Sequence, residues 1–141
     1  MKLYLAFVMV FISISTFGQK RDLSAVTVGF ACGESPTATP LVNKMTDLIK
    51  EEKYTEIASL LYSKIGAEIY LAIIVLEKLA EKKLYTLDET QQIIIARLKE
   101  LSIPVANCYG CMPMTESMNK MLEKENYIGE VYWLDEILPL Q

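Results

Sequence analysis

The spacing of apolar and polar residues changes period several times along this chain. Leu3 to Phe17 is an almost unbroken apolar run, softened only by Ser13, Ser15 and Thr16. Val26, Val28 and Phe30 then alternate with Thr27 and Gly29, the period of a short strand, until Gly33-Glu34-Ser35-Pro36 breaks it. From Thr39 the period is helical. Thr39-Pro40 reads as an N-cap followed by proline at the first helical position, where its missing N–H costs nothing. Leu41, Val42, Met45, Leu48 and Ile49 share one face of that helix. A second helix is expected from Tyr54 to Lys64, with Ile57, Leu60, Leu61 and Ile65 inward.

Gly66 divides it from a third helix, in which Ile69 to Leu76 is apolar on every side. A helix without a polar face must be surrounded by other elements, so this one is the expected centre of the core. Ile73-Ile74-Val75 would also suit a buried strand, but the flanking Glu68, Glu77, Lys78, Glu81 and Lys82 favour a long helix. Thr86-Leu87-Asp88-Glu89 has the pattern of a capping box and opens a fourth helix, with Leu87, Ile94, Leu98 and Leu101 on one face. Ser102-Ile103-Pro104 ends it, and Ile103 to Asn107 is extended. Thr115 or Ser117 can cap a fifth helix running to about Asn126. The tail has apolar residues at 127, 131, 134 and 138, again helical spacing, although Gly129 and Val131-Tyr132-Trp133 weaken it. The chain therefore reads as mostly all-α. A small bundle or helical-repeat-like unit of about five helices fills 39–141, preceded by a short extended arm at 19–38.

The opening run has the shape of a secretory leader. Met1-Lys2 is a positive n-region, and Thr16-Phe17-Gly18 puts small residues where a signal peptidase reads before its cut. The run falls short of the roughly 20 residues that span a bilayer, and Lys20, Arg21 and Asp22 follow at once. Residues 1–18 are thus expected to be a cleaved signal peptide, giving a secreted or periplasmic protein with no stable membrane insertion after cleavage.

Composition narrows the chemistry. With 52% hydrophobic residues over 141 positions, the chain is apolar enough to fold and too short for more than one ordinary domain. Its net charge of −4 gives little attraction for nucleic-acid phosphates, so no nucleic-acid partner is expected. It contains no histidine, which removes Ser-His-Asp and Cys-His hydrolases and histidine-ligated zinc or haem.

Three cysteines remain to be placed in an oxidising compartment: Cys32, Cys108 and Cys111. Cys108-Tyr109-Gly110-Cys111 has the spacing of a disulfide oxidoreductase, but such a site follows a strand of a βαβ sheet and the upstream residues read as helices. A structural disulfide is the better account. Joining Cys32 to Cys108 or Cys111 closes a long loop and stabilises more than the tight Cys108–Cys111 ring, so Cys32 is expected to pair with one of the two. The same region offers a different chemistry, since Cys108, Cys111, Met112, Met114, Met118 and Met121 supply the soft sulfur ligands that select Cu(I). Met114, Met118 and Met121 share a helical face, which is equally the pattern of core-facing methionines.

The carboxylate pairs Glu51-Glu52, Asp88-Glu89 and Asp135-Glu136 are sequence neighbours that diverge on a helix, so they announce no acid–base pair. Tyr127, Tyr132 and Trp133 place large aromatics near the C-terminus, where they either close the core or anchor a partner. The expectation is a non-catalytic helical domain that needs no cofactor and binds or modulates another protein. The alternative is a sulfur-centred site at Cys108 and Cys111, for Cu(I) or for thiol–disulfide exchange.

Overall fold

The computed structural model describes residues 23–124 and 127–138; the leader expected at 1–18 lies outside them. In chain order these residues form α1 (Pro40–Lys50), α2 (Tyr54–Ser59), α3 (Gly66–Glu81), α4 (Glu89–Glu100), β1 (Pro104–Tyr109), β2 (Met112–Ser117), α5 (Met118–Glu123) and α6 (Glu130–Ile137). Short 3-10 turns cover Leu23–Val26 and Leu60–Tyr62. The protein is mostly helical, but the all-α expectation needs correcting. A two-stranded antiparallel hairpin occupies the ground between α4 and α5. The fifth helix is correspondingly shorter, since Thr115 belongs to β2 and only Ser117 remains as its N-cap.

α3 is the central element, as its unbroken apolar surface requires. Tyr70, Leu71, Ile73, Val75, Leu76 and Leu79 are all fully buried. β1 packs against α3, as do α1, α2 and the turn after α2. Burial on every side outweighs the modest helix propensity of Ile73 and Val75.

Two helix starts differ in detail from the sequence patterns. Thr39 is the N-cap of α1, yet its hydroxyl makes no capping bond and instead donates to the Thr27 carbonyl at 2.8 Å. The capping box of α4 is Asp88 with Gln91, two residues beyond Thr86 and Glu89. The Gln91 N–H donates to the Asp88 carboxylate at 2.8 Å, and the Asp88 N–H donates to the Gln91 side-chain oxygen at 3.1 Å. A hydrogen bond between the Gln91 amide and the Tyr85 hydroxyl, at 3.0 Å, helps select this register.

Candidate functional site

The sulfur-rich segment folds as a hairpin braced from one side by the N-terminal arm. β1 and β2 pair in the register Val105↔Glu116, Asn107↔Met114 and Tyr109↔Met112. Gly110-Cys111 is the two-residue loop between them, and Gly110 has φ 58° at the first loop position, where a tight hairpin turn favours glycine. The Cys-x-x-Cys spacing is therefore that of a strand end and its turn rather than of a thiol poised before a helix.

On its other side, β1 is bonded to the arm. The Val28 N–H donates to the Ala106 carbonyl at 2.9 Å, and the Cys108 N–H donates to the Val28 carbonyl at 2.9 Å. The Gly110 N–H donates to Ala31 at 3.1 Å and the Gly33 N–H to Gly110 at 2.9 Å. The arm folds back through reciprocal bonds between Cys32 and Thr37, and the Thr39 N–H reaches the Gly29 carbonyl at 2.9 Å. A disulfide between Cys32 and Cys108 fastens the two segments, one of the two pairings that loop-closure reasoning favours. Gly29 is a requirement of this joint, because a side-chain carbon there would fall on both bridged sulfurs.

Backbone alternation fixes what β2 shows to solvent. Ala106 and Cys108 spend their peptide groups on the arm, so Val105, Asn107 and Tyr109 direct theirs to β2. On β2 the residues turned to the open edge are then Pro113, Thr115 and Ser117. Proline has no N–H, and the Ser117 N–H donates to the Glu116 carboxylate at 2.8 Å. That bond, with Lys120 adding opposite charge at 3.4 Å, holds the Glu116 carboxyl below the usual carboxylate range. The edge is thus poorly suited to receive another strand.

Side chains divide the hairpin lengthwise. Near the core, Val105 and Asn107 are fully buried, and the Asn107 amide donates to the Val105 carbonyl at 3.2 Å and to the Met121 sulfur at 3.7 Å. The same face continues outward as Tyr109, Met112 and Met114, which are 63%, 66% and 36% exposed. Cys111 stands in the turn as an exposed free thiol.

The six sulfur residues named from the sequence do not converge. Cys108 is held in the disulfide, Met118 and Met121 are fully buried, and Met112 and Met114 lie on the hairpin. Among the described residues no cluster of three His, Cys, Asp or Glu side chains could hold a metal. The C-terminal aromatics also separate. Trp133 is buried, packs 4.9 Å from Phe30 of the arm, and donates its indole N–H to the Thr46 hydroxyl at 3.0 Å. Tyr127 is half-buried, with the Lys124 ammonium 5.0 Å from its ring centre, whereas Tyr132 is exposed. Tyr109 is an exposed hairpin residue that sequence reasoning passed over; the glycine after it is the available sign of a turn.

No protein-family model, curated protein or solved structure matches the chain. The disulfide fits an oxidising compartment, and among the described residues no helix is long and apolar enough to cross a membrane.

Proposed function

We propose that the chain is a secreted or periplasmic, non-catalytic binding module that engages another protein through the end of its braced hairpin. The observation that carries this reading is the row Tyr109, Met112 and Met114, three large apolar side chains held in water on one face of a cross-linked segment. Tyrosine and methionine are enriched at interface cores, and a pre-ordered surface avoids part of the entropy cost of association. Because the β2 edge is blunted, the partner is met by side chains rather than by strand addition.

The test is a photo-crosslinking residue in place of Tyr109, with a control at exposed Thr90 on α4. In the secreting host, the first should give a discrete protein adduct and the second none. An empty lane at position 109, or identical adducts from both sites, overturns the reading.

A second reading is favoured by the exposed thiol of Cys111, next in sequence to Met112. In the exchange version, the Cys111 thiolate attacks the Cys108 sulfur, a new Cys108–Cys111 bond forms, and Cys32 leaves as a thiolate that takes up a proton. In the copper version, Cys111, Met112 and Met114 supply the soft donors. Cys111→Ser separates the classes: it abolishes a sulfur-centred activity and leaves the adduct at position 109 intact.

A further inference from the structure

An open pocket of about 340 Å³ is lined by residues of α3, α4, α5 and the start of α6. It falls in the lower part of the size range of small-molecule sites. Met121, Leu122 and Leu134 give it apolar walls, and two buried polar residues, Tyr70 and Glu130, also line it.

These two polar groups are incompletely matched by the protein. Tyr70 is fully buried, and among the described residues its hydroxyl makes no hydrogen bond of full geometry. Burial first, then the nearby negative charge of Glu130 and a weaker hydrogen-bonding contribution from the same carboxylate, hold that hydroxyl protonated well beyond the ordinary tyrosine range. The Glu130 carboxylate is its nearest polar neighbour but makes no bond of full hydrogen-bond geometry with it, while its own oxygens accept from the Tyr127 N–H at 2.7 Å and the Ile128 N–H at 2.9 Å. A carboxylate so engaged keeps further lone pairs for a donor. Among the described residues, no cation lies within ion-pair distance of Glu130.

Two of the three lysines that line the pocket are already paired with carboxylates. Lys78 lies 3.3 Å from Glu81 and 3.6 Å from Asp135, and Lys99 lies 2.8 Å from Glu77. Lys124 stands over the Tyr127 ring. Lys124 is exposed and directed at that ring, so it leaves the buried carboxylate of Glu130 without an ion-pair partner among the described residues. A buried, unpaired charge and a buried, unpaired hydroxyl are both unfavourable, and both are relieved by the same kind of group.

We infer that this pocket binds a small primary amine, its ammonium set between the Glu130 carboxylate and the Tyr70 hydroxyl and its hydrocarbon chain against Met121, Leu122 and Leu134. An ammonium has three donors and no acceptor, which suits two oxygens that can each accept. An anion would be repelled by Glu130, and an alcohol would leave its charge uncompensated.

Calorimetric titration of the full chain with n-hexylammonium, 1-hexanol and hexanoate tests the inference. The amine should bind saturably and about tenfold more tightly than either comparator. Glu130→Gln should weaken it about tenfold and Tyr70→Phe by a smaller, measurable factor. Tyr70→Phe removes one buried atom and preserves the packing, so it decides the matter if Glu130→Gln does not fold. Equal affinity for hexanol would mean an apolar cleft only, and tighter hexanoate would mean that the lysines govern. Either result overturns the inference, as does the absence of saturable amine binding or an unchanged affinity in Tyr70→Phe.

Discussion

α3 and the arm of residues 27–37 are held in place by different kinds of force. α3 is secured by what it hides: Ala67, Ile69, Tyr70, Leu71, Ala72, Ile73, Val75, Leu76 and Leu79 are all buried. In the arm only Val28 and Gly29 reach that degree of burial. What fixes it is a ladder of backbone hydrogen bonds to β1 and a covalent link across 76 positions of sequence. Hydrophobic burial is non-directional and tolerates some slack, whereas a ladder and a disulfide prescribe one position. The hairpin that the arm braces leaves Tyr109 and Met112 in water and so has little apolar surface with which to hold itself down. The second kind of attachment therefore falls beside the surface proposed above for a partner.

The contrast breaks most visibly at the disulfide. Replacing Cys32 and Cys108 together by Ser should cost up to about 4 kcal/mol on the loop-closure estimate for a separation of this length. The loss should be uneven. Amide exchange should quicken most at Val28, Cys108 and Gly110, whose N–H groups bind across the arm–hairpin joint, and least within α3. Uniform loss of protection across the molecule would show that arm and core open as one unit, held by the same forces.

A core truncation sharpens the same comparison from the other side. Leu76 is fully buried in α3, so Leu76→Ala should destabilise by about 3 kcal/mol through lost transfer energy and the cavity left behind. Here the expected signature is a lower denaturation midpoint with hairpin amides remaining protected to the point of global unfolding. Selective release of Val28 and Cys108 in this variant would mean that the joint depends on α3 packing more than on its own bonds.

The same division governs how much could be read from the sequence. α3 was legible because its burial is written as an unbroken apolar run, and α1 because Thr39-Pro40 and a five-residue apolar face agree. The start of α4 was legible only to within two residues. Thr86-Leu87-Asp88-Glu89-Thr90-Gln91 contains two overlapping capping patterns, and the choice rests on a tertiary contact between Gln91 and Tyr85. β2 left almost no trace. Met112, Pro113, Met114 and Thr115 are all exposed, so no alternation marks them as strand, and their pairing is set by β1. The methionines misled for a physical reason. Met114, Met118 and Met121 have helical spacing, but a strand-to-helix change at Ser117 puts Met114 on the hairpin and the other two in the core. As for the candidate surface, its turn was signalled by Gly110, while the exposure of Tyr109 depends on where the core stops, which no local pattern records.

The smallest effect concerns Tyr70, whose hydroxyl on the buried side of α3 makes no hydrogen bond of full geometry among the described residues. Tyr70→Phe removes that hydroxyl, so at neutral pH it should change stability by less than about 1 kcal/mol, in the stabilising direction. High pH magnifies the difference. Because the folded protein holds the Tyr70 proton above the ordinary value of 10.0, the unfolded chain ionises first. Folding stability contributed by this group is thus intact below pH 10 and is lost as pH rises beyond it. Phenylalanine cannot ionise, so the melting temperature of the variant should fall less steeply than that of the parent above pH 10. Tyr54, whose pKa is also raised by burial, still contributes to the decline in both proteins. The measurement is a pair of thermal melts at pH 7 and pH 10.5. A Tyr70→Phe variant that is clearly destabilised at pH 7 and parallels the parent at pH 10.5 would mean that the hydroxyl is matched within the protein. In that case α3 would be held by a specific polar contact as well as by burial, and would differ less from the arm in the forces that fix it.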